Sequence, residues 1–298
     1  KRRRRELEVD SRSPAEEVPC LLPWVGGKFN ISEWIISHFP PHRAYIEVFG
    51  GMANVLLAKP PSEVTILNDI DGDLVNMLFT VRDYSQELQR LLEYIPYSRQ
   101  VFESWKRERK LGIKGASPLE QAARYFYLCS AAFSAKLSGA LSFRTGIEFN
   151  VALAHFNRID GIPIVARRLR GVIVEHMDYE SLLKKYDPGP DALCYFDPPY
   201  IIKRREAYYA GSGMWLPEDH ARLAQIVKGL RCNVALSYYP DPLLDELYPE
   251  AEGWQRAYLE VRTSAANVKA NQGETRDKRT EMLIMNYTWG QQAMRIDE

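Results

Sequence analysis

The motif Asp197-Pro198-Pro199-Tyr200 has the chemistry to hold an amine carried on a planar ring. It follows the apolar run 193–196, which predicts a buried strand that ends where the carboxylate begins. The two prolines keep the backbone extended and remove two N–H donors, which leaves carbonyl oxygens free to accept hydrogen bonds. The Asp197 carboxylate and the Pro198 carbonyl could therefore accept both amine hydrogens while the Tyr200 ring stacks on the base.

The exocyclic amine of adenine is a poor nucleophile, because its lone pair is delocalised into the ring. Two acceptors that draw on its hydrogens favour the pyramidal amine and free the lone pair to attack a methyl group. This is transition-state stabilisation by fixed acceptors. The alternative interpretation is a tight turn with an incidental tyrosine, because short motifs often match by chance.

Glycines and carboxylates after two other apolar runs could hold a ligand at the same edge of a sheet. Phe49-Gly50-Gly51 ends the first run, which contains Glu47, and glycines let the backbone approach a ligand closely. Asp69 ends the second run, where a carboxylate can accept hydrogen bonds from ribose hydroxyls. Asp71 is explained equally well as the N-cap of a helix that starts near Leu74.

A fourth group lies upstream of the first run and consists of Trp24, Gly26, Gly27 and Lys28. An indole, a flexible glycine pair and a cation could together grip a ligand that carries a carboxylate. The alternative is a loop anchored by a buried tryptophan.

The elements that must position these residues alternate between strands and helices. Apolar runs at 44–49 and 64–68 read as strands, and the helix-like stretch 52–59 between them ends before two prolines. This βαβ unit predicts a parallel sheet. Further strands are expected at 172–175, 192–196, 233–237 and 281–287, and a further helix at 217–228.

The middle of the chain is predicted to be helical. Helical periodicity covers 85–94, 99–110 and 119–134, and a loop rich in small and polar residues follows at 138–150. We therefore predict a basic, disordered tail at 1–18, a catalytic α/β domain formed by 19–83 and 165–298, and a helical insertion at 84–164.

Composition limits the class of protein. The chain has 298 residues, is 46% hydrophobic and 26% charged, and lacks an apolar run long enough to cross a bilayer. The N-terminus is basic with no apolar stretch behind it, so we expect a cytoplasmic protein that is neither exported nor membrane-embedded. The net charge is zero, but basic clusters that permit a DNA partner lie at 1–5, 106–110, 167–170, 203–205 and 278–279.

The cysteine spacing argues against a metal site. Cys20, Cys129, Cys194 and Cys232 are widely separated, and no histidine lies near enough to complete a zinc knuckle. Buried free thiols and no metal are the expectation.

Taken in order, these groups resemble the Dam-like adenine-N6 DNA methyltransferases in their alpha arrangement, over nearly the whole chain from Pro23 to Tyr287. That family has Trp-x-Gly-Gly-Lys, Phe-x-Gly-Gly, Asn-Asp, a target-recognition insertion and then Asp-Pro-Pro-Tyr. Here the second segment is Val-Phe-Gly-Gly, with the phenylalanine directly before the glycines. Weaker matches are 174–178, which ends in Asp178, the pair Asp219-His220, and the closing strand 279–287.

The resemblance implies a Rossmann-like class I methyltransferase fold, a mostly parallel twisted sheet with helices on both faces, and S-adenosylmethionine as cofactor. The target adenine of double-stranded DNA would be flipped out of the helix to reach Asp197, Pro198, Pro199 and Tyr200. The predicted cofactor-binding residues are Trp24, Gly26, Gly27, Lys28, Glu47, Phe49, Gly50, Gly51, Asp69, Asp178 and Asp197. A cognate restriction endonuclease is one partner that the resemblance allows, and the oligomeric state is left open.

The insertion departs from the pattern of GATC-specific members. Those carry Asn-Gly-Leu-Cys-Arg-Tyr-Asn before Phe-Asn-Val, whereas here Ser142 replaces the arginine and Arg144 lies one place after the aromatic. Because arginine commonly reads guanine in the major groove, we predict a recognition site other than GATC. The predicted DNA-binding residues are Ser138, Gly139, Ser142, Arg144 and Asn150.

Three alternatives stay open at this point. Methylation of cytosine N4 uses the same amine chemistry, but that class more often has serine in place of Asp197. Methylation of adenine in RNA is the second. A non-catalytic nucleic-acid-binding protein on the same fold is the third. Such a protein would be expected to have lost Asp197 or Tyr200, and both residues are present here.

Overall fold

A mostly parallel sheet forms the centre of the protein. The computed structural model describes residues 18–24, 26–133, 141–201, 215–262 and 278–289. Within these residues the strands are β1 Ala44–Glu47, β2 Val64–Asn68, β3 Val172–Glu175, β4 Ala192–Phe196, β5 Asn233–Tyr238, β6 Gln255–Arg262 and β7 Lys278–Met285. They form one sheet in the order β3-β2-β1-β4-β5-β7-β6. The first five run parallel, and β7 is antiparallel to both β5 and β6.

Helices cover both faces of this sheet. Those of the described residues are α1 Ser32–Ser37, α2 Asn54–Ala58, α3 Gly72–Asp83, α4 Ser85–Glu93, α5 Arg99–Lys110, α6 Pro118–Ala131, α7 Val151–Asp160, α8 Ile162–Leu169, α9 Tyr179–Tyr186, α10 Pro217–Lys228 and α11 Pro242–Leu247. Side chains alternate along a strand, so Tyr45 packs in the core formed with α1–α8, and Ile46 packs in the core formed with α9–α11. The predicted fold class, a class I methyltransferase fold, is confirmed.

The order in which the chain adds strands to the sheet reverses between β1 and β4, although these two strands are parallel. From β1 the chain crosses through α2 to β2 on one side, and from β4 it crosses through α10 to β5 on the other. The two strands are paired in register, Ala44 with Ala192 and Glu47 with Tyr195. In open α/β sheets, ligands bind in the crevice at the carboxyl ends of strands where the order reverses. The crevice between β1 and β4 is therefore the expected binding site.

The helix α6 carries the chain to this same edge. Asn76 Nδ2 of α3 donates to the Pro118 carbonyl at 2.9 Å, and Gln121 Nε2 donates to Asp73 Oδ1 at 2.5 Å. These contacts show that α6 runs antiparallel to α3, which begins at the carboxyl end of β2 under the N-cap of Asp71. The C-terminal end of α6, and the segment 141–144 that pairs with it, therefore lie toward the carboxyl edge.

Most predicted elements are found with small shifts at their ends. The strands at 64–68, 172–175 and 192–196 and the helices at 99–110 and 217–228 have the predicted bounds, and Asp71 does cap α3. The first strand ends at Glu47, before the glycine turn, and the last runs from Lys278 to Met285. The predicted tail 1–18 lies outside the described residues except for its last residue. No described helix combines the length and apolarity needed to cross a membrane.

Candidate active site

A glycine turn closes one side of the crevice. Gly50 N donates to the Asn68 carbonyl at 2.8 Å, and a Cβ at Gly50 would lie 2.3 Å from Leu67 Cδ1. Gly51 has φ 50°, and a Cβ there would lie 2.9 Å from Trp24 Nε1. Only glycine fits at these two positions, because the turn is pressed between the end of β2 and the indole of Trp24.

The Asp69 carboxylate joins this turn to the next one. Its Oδ2 accepts from Gly51 N at 2.8 Å, and its Oδ1 accepts from Asp71 N at 2.9 Å. Burial of the carboxylate raises the pKa of Asp69, although the backbone hydrogen bonds act against that rise. Each oxygen can still accept a further hydrogen bond.

The neighbouring Asn68 joins the ends of three strands. Its Nδ2 donates to the carbonyls of Val48 and Met177, each at 3.0 Å, and its Oδ1 accepts from Met177 N at 3.1 Å. The sequence analysis assigned no role to Asn68, although a buried amide at the end of a strand is expected to form hydrogen bonds with neighbouring backbone groups.

Lys28 crosses the crevice to the motif after β4. Its side chain is 4% exposed, and its Nζ lies 3.0 Å from Asp197 Oδ1. The same Nζ donates to the Gly26 carbonyl at 2.7 Å and lies 4.7 Å from the centre of the Tyr200 ring. Burial alone would lower the pKa of Lys28, but the carboxylates of Asp197 and Glu281 outweigh it and raise that pKa above its ordinary value.

The Asp197 side chain is 22% exposed, and burial and charge act on its pKa in the opposite directions to those at Lys28. Burial raises the pKa of Asp197, and the adjacent Lys28 ammonium only partly counteracts that rise. Pro198 is buried and Pro199 is partly buried, so both hold the turn that follows β4. The Lys28 ammonium, with a smaller contribution from a hydrogen bond with Tyr200, therefore favours the ionised form of Asp197 against its burial.

Tyr200 is fixed by its ring and by its hydroxyl. The ring of Tyr239 meets it edge-on, with 4.5 Å between ring centres and 86° between planes. The Tyr200 hydroxyl donates to Glu281 Oε2 at 3.1 Å. Sequence reasoning placed Glu281 only in the closing strand, and its signal was an acidic residue in an otherwise apolar run.

An aromatic wall forms the other side of the crevice around Phe49. Its ring lies 5.6 Å from that of Tyr179 and 5.6 Å from that of Trp215. Trp215 and Tyr179 also contact each other, with their ring centres 5.8 Å apart. Such a wall suits the planar part of a ligand.

Glu47, another predicted cofactor-binding residue, points into the protein. Its side chain is 2% exposed, and its Oε2 accepts from the Tyr45 hydroxyl at 2.8 Å. Burial raises the pKa of Glu47 to about 8. A direct part in ligand binding stays a prediction.

Gly27 and Asp178 complete the set of predicted cofactor-binding residues. Gly27 N donates to the Trp24 carbonyl at 3.0 Å, which closes the turn that carries Lys28. Asp178 is exposed just after β3, and its Oδ1 accepts from Ser181 N at 3.0 Å, so it caps α9. A contact between Asp178 and a ligand stays a prediction.

Two of the predicted DNA-binding residues lie in a short pairing at the end of α6. The Ser142 carbonyl accepts from Phe133 N, and Arg144 N donates to the Ala131 carbonyl, each at 2.8 Å. The Arg144 guanidinium lies 5.0 Å from the centre of the exposed Phe149 ring. Arg144 is therefore held by its backbone, while its charged end stays near the surface.

Of the remaining predicted DNA-binding residues, only Asn150 lies within the described residues. Asn150 caps α7, because its Oδ1 accepts from Leu153 N at 2.9 Å. Ser138 and Gly139 lie outside the described residues.

The cysteines show one proximity that the sequence spacing hid. Among the described residues all four are free thiols, and three are buried. Cys194 and Cys232, far apart in sequence, have their sulfur atoms 3.5 Å apart, because β4 and β5 are neighbours in the sheet. No group of three or more metal-binding side chains occurs in the part of the chain that the structure describes.

Comparison with known proteins identifies the family. The D12 class N6 adenine-specific DNA methyltransferases match residues 24–263, which is well over half of the chain. The DNA adenine methylase of Escherichia coli (strain K12) is 25% identical over 282 residues, which cover 89% of this chain and 94% of that protein. The DNA adenine methylase of Haemophilus influenzae is 25% identical over 252 residues, which cover 78% and 83%. This chain belongs to the D12 class of N6 adenine-specific DNA methyltransferases.

Proposed function

We propose that the crevice between β1 and β4 binds S-adenosylmethionine and a flipped adenine of duplex DNA, and that N6 is methylated beside Asp197. The ion pair between Lys28 and Asp197 is the observation that carries this proposal. It joins the segment before β1 to the motif after β4, beneath the Tyr200 ring, at the point where the strand order reverses.

The donor side of the crevice fits a nucleoside with a charged tail. The turn at Gly50 and Gly51 leaves no room for a Cβ, so a ligand there would meet backbone directly. Asp69 and Asp178 would accept hydrogen bonds from the nucleoside, Phe49 would pack on its ring, and Trp24 and Lys28 would hold the amino-acid end. When bound, S-adenosylmethionine supplies a methyl group already activated on sulfonium, so the protein need only place the acceptor.

The acceptor side fits an amine. The Asp197 carboxylate and the Pro198 carbonyl would each accept one N6 hydrogen, while Tyr200 stacks on the flipped base. The Lys28 ammonium lowers the pKa of Asp197 against the rise that burial causes, and so favours the ionised carboxylate. Transfer of the methyl group would break its bond to sulfur, release a neutral thioether and place positive charge on N6. The adjacent Asp197 carboxylate would stabilise that charge until the extra N6 proton passes to the carboxylate or to solvent.

The choice of DNA site is assigned to the insertion at 84–164, and the catalytic unit to 19–83 with 165–298. The antiparallel packing of α6 on α3 supports this division, because it brings Arg144 toward the carboxyl edge. We keep the proposal of a site other than GATC, since Ser142 stands where GATC-specific members have arginine. A cognate restriction endonuclease also stays a prediction. Its test is whether DNA methylated by this chain resists an extract of the source cells that cuts unmethylated DNA.

The proposal is tested by single-molecule sequencing of DNA from a methylation-free host that expresses the chain. The expected result is N6-methyladenine at one short motif, absent in Asp197→Ala and Asp197→Asn. Glu260→Ala, which removes an exposed ion pair with Lys278, is the matched control and should methylate normally. Equal methylation by Asp197→Ala would refute the site, and modification at GATC alone would refute the proposed specificity.

A further inference from the structure

Glu281 is a second buried carboxylate at this site. It lies on β7, which is antiparallel to β5, and its side chain is 8% exposed. Burial raises the pKa of Glu281, and the positive charge of Lys28 acts against that rise. Acidic side chains are almost never buried this deeply unless they are paired, so a specific use is expected.

The partner of Glu281 is the hydroxyl of Tyr200, at 3.1 Å from Oε2. A tyrosine ring held only at its base can rotate about two side-chain bonds. Here the Tyr239 ring packs perpendicular to the Tyr200 ring, and the Lys28 ammonium lies 4.7 Å from the centre of the Tyr200 ring. The hydrogen bond to Glu281 holds the far end, so three contacts restrain the ring.

The charges around Lys28 link the same groups. Lys28 contacts Asp197 directly at 3.0 Å, and Glu281 raises its pKa from further away. Neutralising Glu281 would therefore leave the direct ion pair in place, whereas removing its oxygen atoms would leave the Tyr200 hydroxyl with Asp197 as its remaining acceptor. Charge and hydrogen bond can thus be separated by choice of substitution.

We propose that Glu281 is a positioning residue, which holds the Tyr200 ring by its hydroxyl in the plane on which the target adenine stacks. This inference rests on the proposed function of Tyr200. Its contribution belongs to the acceptor side of the reaction and not to binding of the methyl donor.

The test compares Glu281→Ala, Glu281→Gln, Tyr200→Phe and the double variant Glu281→Ala/Tyr200→Phe. The substrate is an unmethylated duplex that contains the motif found by sequencing. A hydrogen bond to a charged group stabilises by about 1.5–3 kcal/mol, so Glu281→Ala and Tyr200→Phe should each lower kcat/KM by about 10- to 160-fold. Because both remove one interaction, the double variant should fall little below the worse single variant. Glu281→Gln keeps an acceptor oxygen and should lose less than Glu281→Ala.

Two further readouts separate positioning from a merely structural role. The dissociation constant for S-adenosylmethionine should stay within about twofold of wild type in Glu281→Gln and Glu281→Ala, since no donor contact is lost. A duplex with 2-aminopurine at the target position should fluoresce more brightly with Glu281→Ala than with wild type, because a mobile ring stacks less well on the flipped base.

The outcomes are distinct. Effects of Glu281→Ala and Tyr200→Phe that add in the double variant would overturn the inference, as would a Glu281→Ala rate equal to that of the Glu260→Ala control. If Glu281→Ala fails to fold, a Glu281→Gln rate as low as that of Tyr200→Phe would also overturn it, because an acceptor is still present. A wild-type chain that leaves adenine unmodified would instead overturn the proposed function.

Discussion

Replacement of Lys28 by methionine should move the acid side of the pH–rate profile to higher pH. In the proposed mechanism the ionised Asp197 carboxylate stabilises the positive charge that develops on N6, which the neutral acid cannot do, so activity should fall as the pH falls through the pKa of Asp197. Burial raises that pKa, and the Lys28 ammonium lowers it. Without the cation, burial is unopposed, the pKa of Asp197 rises further, and the protonated, inactive form persists to higher pH.

The size of the change follows from the geometry of the pair. The two charged atoms are 3.0 Å apart, and the side chains are 4% and 22% exposed, so solvent screens them little. At an effective dielectric constant of about 20, Coulomb's law gives about 5 kcal/mol, and removal of one partner from a buried pair typically costs about 3–5 kcal/mol. At about 1.36 kcal/mol per pH unit, the acid limb should move up by about 2–4 pH units.

The assay is kcat/KM for methyl transfer, measured from acid to alkaline pH. Lys28→Arg keeps the charge and should keep the acid limb near that of wild type. Lys228→Met removes a surface pair between the end of α10 and Glu252, at 2.7 Å, and is the control that should leave the profile unchanged. A Lys28→Met rate that falls by the same factor at every pH would refute the reasoning, because it would place Lys28 in donor binding alone.

Three other substitutions give defined outcomes. Burial raises the pKa of Glu47 to about 8, so its contribution to stability is complete below the ordinary glutamate pKa and is lost as the pH rises toward 8. The Tm of Glu47→Gln relative to that of wild type should therefore be higher at pH 8 than at pH 5. A Tm difference that does not depend on pH would contradict this. Gly50→Ala places a Cβ 2.3 Å from Leu67 Cδ1 and should destabilise the fold by about 1–3 kcal/mol in denaturant titrations, whereas Gly171→Ala, in open space, should be nearly neutral. Arg144→Ala should relax the methylated motif at one position and Arg144→Lys should do so less, and an unchanged methylome in both would exclude base reading by this residue.

The parallel core could be predicted from sequence because its strands are buried on both faces. Such strands are short, nearly continuous apolar runs, and those at 64–68 and 192–196 have the predicted bounds. The strand at 172–175 also has the predicted bounds, because its residues are mostly apolar although it lies at the edge of the sheet. The strand β6 was not predicted, because it lies at the edge of the sheet and mixes exposed polar and aromatic residues. Tyr258, for example, is 55% exposed. An edge strand need not be apolar on both faces, so only one with an apolar sequence, such as β3, can be recognised from that pattern.

The site could be predicted only where one motif carried the signal. Asp197 and Tyr200 were found from their own spacing, and Lys28 from the glycines beside it. The pairing of Lys28 with Asp197, and the contact of Glu281 with Tyr200, join residues distant in sequence and therefore depend on the strand order. The same limit hid the neighbouring thiols of Cys194 and Cys232.

The adjacency of β1 and β4 has a consequence for how the protein folds. The whole helical insertion, together with β2 and β3, lies between these two strands in sequence, although the two strands pair directly in space. Contacts between distant segments close long loops, and their entropic cost makes them form late and cooperatively. Helices and the local β1–α2–β2 unit can form early, but the site needs β4 beside β1 and β7 beside β5. A refolding chain therefore regains helical structure before it regains a site, and methyl transfer reports the completion of folding.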